Sequence, residues 1–224
     1  MNRSLPRALV LIAVLVCLLL ACKRKEQGGS GSVGDRAAKL KPDAKKRLEQ
    51  LAALAPKVKA EAAVSSDKPV SVKLSRKTVA ILGEQWLTDP NRSASSEELK
   101  FDNTLLSLCK HGTEGEPKSA DDLRYLEDCV ALETVAVVRQ RSLERPRIKM
   151  KSKSYDSGQL KADVLVFELA TAKLLGAYDL HVSNDPELKL PAGDQSEKDW
   201  LGLAMADLVV NAQSKVEEKL GIKL

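Results

Sequence analysis

Aromatic residues are scarce in this chain, whose 224 residues include two Phe, two Trp and three Tyr. So few rings disfavour a platform on which sugars or bases stack. Histidine is scarce as well, since His111 and His181 are the only two and fall in different predicted elements. Neither belongs to a metalloprotease or hydrolase motif, and no P-loop spacing occurs. The sequence therefore predicts no catalytic residue and no cofactor.

A strong net charge is also missing. The chain has 36 Lys and Arg against 31 Asp and Glu, which gives a formal charge of +5 at pH 7. Ligands of nucleic acids usually carry a concentrated basic field, so we predict no nucleic-acid partner. Adjacent carboxylates such as Asp121 and Asp122 stand at a predicted helix start, where the helix dipole favours negative charge without any chemistry.

One long apolar run stands out, at residues 8–21, and it follows the positive residues Arg3 and Arg7. A helix needs roughly 20 apolar residues to cross a bilayer core of ~30 Å, which this run of about 14 does not reach. A short positive region followed by an apolar run and a cleavage site is typical of a secretory signal. We therefore expect residues 1–21 to be removed, which lowers the formal charge from +5 to +3.

The residues Leu19, Ala21 and Cys22 resemble the lipobox of bacterial lipoproteins, although Leu20 stands where that family usually has a small residue. The resemblance implies diacylglyceryl transfer to the Cys22 thiol, cleavage after Ala21, and acylation of the new amino terminus, for example by palmitate. Lys23 after the cysteine, rather than Asp, implies the outer membrane facing the periplasm. An ordinary cleaved signal and an uncleaved anchor are the alternatives.

Residues 22–34 are predicted to be the lipidated start and a flexible tether. Residues 23–27 are charged or polar, and residues 28–34 consist of glycine, serine and one valine. Residues 29–34 match G-x-G-x-x-G, but no strand precedes them, as a dinucleotide site requires. The basic residues beside the lipid either attract anionic head groups or are solvated linker charge. Residues 35–224 remain as a single α+β domain with an N-terminal helical segment.

The spacing of apolar residues predicts helices before strands at the start of this domain. Residues 42–64 read as one or two helices, with Pro42 at a first helical position and Pro56 as a bend or break. Alternating apolar residues at 70–74 and a β-branched run at 78–82 predict two strands or one bent strand.

Capping boxes mark the later helices, because a serine is followed three residues on by Glu or Asp at Ser95, Ser119 and Ser196. They predict two short helices and a long C-terminal helix that ends at Gly221, with Trp200 filling the core. Strand-like segments at 134–183 predict an antiparallel meander. We therefore assign the domain to the α+β class, with helices covering one face of a largely antiparallel sheet.

This order of elements over residues 70–220, with a hairpin turn at residues 168–173, faintly resembles a known architecture. It is similar to the small α/β sandwich of outer-membrane lipoproteins such as penicillin-binding-protein activators and the curli-secretion lipoprotein. The likeness lies in the pattern of elements and includes no specific motif, so it implies no site residue.

Four cysteines are present. If Cys17 leaves with the signal and Cys22 carries lipid, Cys109 and Cys129 remain as an even pair in an oxidising compartment. We predict a disulfide between them, and a loop of roughly 20 residues would stabilise the domain by about 3 kcal/mol. Two buried free thiols are one alternative. A metal site of Cys109, His111 and Cys129 is another, although it lacks a fourth ligand.

Five basic residues occupy successive odd positions: Arg145, Arg147, Lys149, Lys151 and Lys153. In a strand, a period of two places all five on one face. Such a basic ribbon would suit a polyanion or a partner protein, namely anionic lipid, lipopolysaccharide phosphates, an acidic cell-wall polymer or an acidic protein. The same pattern also suits an edge strand whose lysines discourage aggregation.

Two functions follow from these predictions. We favour a membrane-anchored envelope lipoprotein that is not an enzyme. It would bind another protein, or support an envelope assembly, through its sheet edge or the basic ribbon. A hydrolase acting on cell-wall material is the alternative, with residues that the sequence does not name.

Overall fold

The computed structural model describes residues 32–71, 73–75, 77–87, 101, 104–115, 117, 119–152, 154–185 and 196–222. The predicted signal, Cys22 and most of the tether lie outside these residues, as does the capping box at Ser95.

The helices of the described residues are α1 (Val33–Ala52), α2 (Ala55–Ala60), α3 (Thr104–Glu114), α4 (Ala120–Val130) and α5 (Glu197–Leu220). Two predicted capping boxes are confirmed. Ser119 accepts a hydrogen bond from the backbone N–H of Asp122 at 3.1 Å, and Ser196 accepts one from Asp199 at 3.2 Å. Gly221 ends α5 at φ 66°, a left-handed conformation that glycine adopts without strain.

The first helix starts earlier than its apolar spacing indicates. Ser32 and Asp35 form a capping box, so α1 begins at Val33, within the segment predicted as tether. Pro42 lies inside α1, and its predicted place at a first helical position was wrong. The capping box at Ser32 satisfies the free backbone N–H groups at the start of the helix, ten residues before Pro42. Burial of side chains along α1 offsets the one backbone hydrogen bond that Pro42 removes. Pro56 stands in the first turn of α2, after a break in the helical run, as predicted.

The strands are β1 (Val79–Gly83), β2 (Thr134–Glu144), β3 (Arg147–Lys149), β4 (Ser154–Asp156), β5 (Gln159–Glu168) and β6 (Lys173–Ser183). Four of them form one sheet in the order β1-β2-β5-β6, and β3 pairs with β4 alone. The predicted meander is confirmed, because β2, β5 and β6 pair antiparallel. β1 pairs parallel with β2. The α+β class is confirmed.

Helices cover both faces of this sheet, whereas the sequence led us to expect one covered face. α5 shares a core with one face through Leu208, Ala212 and Val216, and α1 and α2 share a core with the other through Leu51 and Val58. Residues 134–138 of β2 are buried without alternation. An uninterrupted apolar run is typical of a strand covered on both faces.

Of the alternating residues at 70–74, Val70 and Leu74 are described, and neither lies in a strand of the sheet. The described chain runs beside β6 there, joined to it by one isolated bridge between Lys68 and Ala177. Gly176 permits this approach, because a Cβ atom at that position would lie 2.7 Å from the Lys68 carbonyl oxygen. The strand prediction therefore holds only for the β-branched run that became β1.

The disulfide predicted between Cys109 and Cys129 is present, with their Cα atoms 5.8 Å apart. It joins α3 to α4. Both cysteines are fully buried and pack against Ala37 and Ala44 of α1. These three helices therefore form a small core of their own beside the sheet.

Candidate functional site

A row of charged side chains crosses the sheet on the face that carries α1 and α2. Arg139 of β2, Asp163 of β5 and Asp179 of β6 are cross-strand partners. One Asp163 oxygen accepts from Arg139 Nε at 3.1 Å and Nη2 at 2.6 Å, and the other accepts from the backbone N–H of Val64 at 3.2 Å. The Asp163 side chain is 1% exposed. A carboxylate buried this deeply needs such partners.

Arg139 also holds the end of helix α2. Its Nη1 donates to the carbonyl oxygens of Val58 and Glu61, each at 2.7 Å, and its Nη2 donates to that of Ala62 at 2.9 Å. α2 ends at Ala60, so these carbonyls lie at the helix C-terminus, where a cation is favoured. One guanidinium therefore connects the sheet, the helix and the segment that follows it.

Beyond this row, the same face of the sheet is open to solvent. The exposed side chains form two cross-strand rows, which we call together the open sheet face: Ser142, Lys161 and His181, then Glu144, Gln159 and Ser183. Directly opposed residues of antiparallel strands have Cβ atoms about 5 Å apart. The open sheet face is therefore a compact polar surface across three strands.

Arg141 connects the buried row with the open sheet face. It stands at an irregularity in β2, pairs with Asp179 through Nη2, and brings Nε to 3.4 Å from Asp163. His181 Nε2 lies 3.3 Å from the other oxygen of Asp179. Lys161, in contrast, takes part in none of the ion pairs between described residues. Its charge is available to a carboxylate or phosphate from outside.

The edge of β6 is partly closed by the chain itself. Asp67 accepts a hydrogen bond from the backbone N–H of Asp179 at 2.9 Å and pairs with Lys219 of α5 at 2.6 Å. The hydrogen bond from Lys219 lowers the pKa of Asp67 below its ordinary value of 3.8, and the Asp179 N–H acts in the same direction. Lys219 also lies 5.6 Å from the ring centre of Tyr178. The sheet edge near Asp179 is therefore occupied.

The residues of the predicted basic ribbon do not lie in one strand. Arg145 precedes β3, Arg147 and Lys149 lie at the two ends of β3, Lys151 lies in a 3-10 helix (Met150–Ser152), and Lys153 is outside the described residues. The single-strand prediction was wrong because the 3-10 helix reverses the chain after three residues of β3. We call residues 145–156 the basic hairpin. Within it, Lys149 pairs with Asp156 at 2.6 Å.

The root of the basic hairpin is fixed to α5. The Tyr155 hydroxyl donates to the carbonyl oxygen of Asp185, and burial raises the pKa of Tyr155. The Gly158 N–H donates to the side chain of Asn184 at 2.8 Å, and that side chain donates to the Ala204 carbonyl at 2.6 Å. The hairpin is therefore held at its base, while the side chains at its tip are exposed.

Grooves open at two further places. One of about 490 Å³ lies under the basic hairpin and is lined by Glu144, Arg145, Pro146, Arg147, Asp156 and Ser157. Another, of about 540 Å³, lies between α1, α3 and the 3-10 helix Glu84–Leu87, with apolar lining from Leu48, Trp86 and Leu106. Within the described residues, neither groove is lined by a histidine together with a serine or cysteine.

The other predicted site residues have different outcomes. Cys22 lies outside the described residues, so its lipidation stays a prediction. Cys109 and Cys129 are joined to each other, which leaves His111 without the metal ligands of the alternative. Among the described residues, no group of three or more His, Cys, Asp or Glu side chains could hold a metal ion. None of the helices in the described ranges is long and apolar enough to cross a membrane.

Sequence reasoning missed the pair of Arg139 and Asp163. A signal for it exists, because Arg139 directly follows the apolar run 135–138 and Asp163 directly precedes the apolar run 164–167. Opposite charges in two neighbouring buried strands indicate a buried ion pair once the strand register is known. The register becomes visible only in the folded sheet.

No protein-family model matches the chain, and no curated protein sequence matches it.

Proposed function

We propose that this protein is a non-enzymatic lipoprotein of the cell envelope that binds a partner protein on the open sheet face. It is anchored by lipid on Cys22 and faces the periplasm from the outer membrane. One observation carries the proposal: three neighbouring strands present an exposed polar surface next to a row of paired charges, whose central carboxylate, Asp163, is buried.

The buried row supports binding by making the surface rigid. Asp163 and Asp179 hold the guanidinium groups of Arg139 and Arg141, so the three strands that carry the open sheet face are tied together. A surface that is ordered before binding loses less conformational entropy in the complex. Lys161 stands at the centre of this surface, and it suits an acidic side chain of the partner.

The predicted tether supports a role in assembly. Residues 22–31 precede the first described residue, and ten residues span at most roughly 35 Å when extended. A domain on such a tether reaches partners in the same membrane and at a short distance from it. The hydrolase alternative has no named residue, and no contact among the described residues specifically favours it.

The proposal is tested by reversing the central charge of the open sheet face. Full-length protein carrying Lys161→Glu is expressed in the native host, crosslinked in intact envelopes and purified. We expect it to lose a partner that the unaltered protein captures, because a glutamate there repels an acidic partner. Thermal unfolding followed by circular dichroism checks that the fold is retained.

Lys46→Glu is the matched control, since Lys46 is an exposed lysine on α1 and the charge changes by the same amount. This variant should keep the partner. If both variants capture the same proteins as the unaltered chain, the open sheet face is not the interface.

A further inference from the structure

We propose that the basic hairpin is a lipid-contacting element. Its basic side chains bind the phosphates of anionic lipids, and Met150 enters the head-group region. The inference adds a second surface to the partner-binding face, and it rests on the proposed function only for the presence of a membrane nearby.

Positive charge is concentrated in the basic hairpin. Five of the 36 basic residues and none of the 31 acidic residues lie between positions 145 and 153, so the rest of the chain has 31 of each and no net charge. Removal of residues 1–21 takes away two further basic residues, so in the processed chain these nine residues carry +5 and the remainder carries −2. An anionic lipid surface attracts such a basic cluster within a Debye length.

An apolar side chain, that of Met150, is exposed at the tip of the basic hairpin. Met150 is 41% exposed and opens the 3-10 helix between the two hairpin strands, with Lys149 and Lys151 on either side. A soluble acidic polymer would neutralise the lysines but leave Met150 in water. A bilayer interface offers anionic phosphates and, a few ångströms deeper, an apolar layer. The combination favours lipid over an acidic polymer.

The base of the basic hairpin is held in place by hydrogen bonds, which fixes the position of its tip. Tyr155 and the neighbouring Gly158 are hydrogen bonded to the chain segment that leads towards α5. Lys149 is paired with Asp156, but both side chains are more than half exposed, so the pair is open to exchange with lipid phosphates. The hairpin therefore needs no refolding to meet a surface.

The contact is tested with a tryptophan reporter at the tip. The full chain carrying Met150→Trp is mixed with phosphatidylcholine vesicles, with and without phosphatidylglycerol, whose acyl chains carry bromine near the head group. Trp86 and Trp200 are buried, at 5% and 2% exposure, so the unaltered protein gives a constant background. We expect quenching of the new tryptophan in the anionic vesicles only, and its loss at high salt.

Charge reversal identifies the side chains responsible. Each basic residue near an anionic surface strengthens binding roughly fivefold, so Arg147→Glu with Lys151→Glu should weaken the anionic-specific quenching at least ~25-fold in lipid concentration. Lys39→Glu with Lys46→Glu changes the net charge equally on the exposed side of α1 and should leave the quenching unchanged.

Several results would overturn the inference. One is equal quenching in neutral and anionic vesicles, and another is equal quenching of a tryptophan introduced by Val210→Trp on the outer side of α5. A third is binding of soluble polyglutamate or of a protein without any quenching by lipid, which would assign the hairpin to those partners. Flotation of the full chain with neutral vesicles reports the Cys22 anchor separately, so failure of the anchor and failure of the hairpin contact are distinguishable.

Discussion

Asp163 shows how much a single residue decides in this fold. Its carboxylate is buried between β2 and β6, and it binds Arg139, approaches Arg141 and accepts the backbone N–H of Val64. Through Arg139 it also orders the carbonyl groups at the end of α2. An isolated buried carboxylate would be costly, but one with these partners fixes the position of four chain segments.

Asp163→Asn should destabilise the domain by about 3 kcal/mol or more, because it leaves Arg139 and Arg141 without their shared carboxylate in a buried site. Urea unfolding followed by circular dichroism measures the change. Asp156→Asn is the control, since it removes the carboxylate of an ion pair whose side chains are 53% and 54% exposed. That variant should lose less than about 1 kcal/mol. Equal losses in the two variants would refute a special role for Asp163.

At the scale of elements, the disulfide joins two short helices that support a third. α1 packs on α3 and α4, and Lys41 donates to the Gly115 carbonyl at 2.6 Å just beyond α3. Arg36 pairs with Glu127 of α4 at 2.6 Å on the surface. α1 is also the helix that follows the predicted tether. The link between α3 and α4 therefore stabilises the helix that follows the predicted tether.

Reduction of the disulfide should lower the free energy of unfolding by about 3 kcal/mol, because the open chain gains the entropy of a loop of roughly 20 residues. Denaturant unfolding with and without reductant gives the difference. The double variant Cys109→Ala with Cys129→Ala should be equally stable with and without reductant. An unchanged midpoint after complete reduction, checked by counting free thiols, would contradict the prediction.

At the scale of the whole molecule, two polar surfaces differ in charge: the open sheet face and the basic hairpin. The open sheet face mixes Lys161 and His181 with Glu144, whereas residues 145–153 of the basic hairpin contain five basic residues and no acidic one. The proposed anchor on Cys22 carries more than one acyl chain and is stable by itself, so attraction of the basic hairpin to lipid phosphates would act beside it.

Cys22→Ala should abolish labelling with palmitate and release the protein from membranes. The reason is that the Cys22 thiol is the predicted acceptor of the lipid. Metabolic labelling and membrane fractionation measure both effects, with Cys17→Ala as the matched control that should still be labelled. Palmitate on the Cys22→Ala protein would refute the anchor.

Local signals predicted much of the fold, and contacts across the sheet account for the rest. The capping boxes at Ser119 and Ser196 involve residues three positions apart, so they can be recognised without knowing the tertiary structure. The pairing of Arg139 with Asp163 joins residues 24 positions apart, so the buried ion pair was missed. The reversal at Met150 is local, since Arg147 and Asp156 are nine positions apart. No glycine, proline or asparagine stands at residues 149–154 to signal a turn, so the basic ribbon was predicted as one strand.

The sequence by itself predicted the α+β class, the meander and the disulfide between Cys109 and Cys129, and it shows the concentration of basic charge at residues 145–153. These properties depend on periodicity, short-range spacing and composition. Only the tertiary structure decided that helices cover both faces of the sheet, that Asp163 is buried while Lys161 on the same face is exposed, and that Arg147, Lys149 and Lys151 lie around a hairpin turn. Strand register and layer packing arise from contacts between distant residues, which no short window of sequence contains.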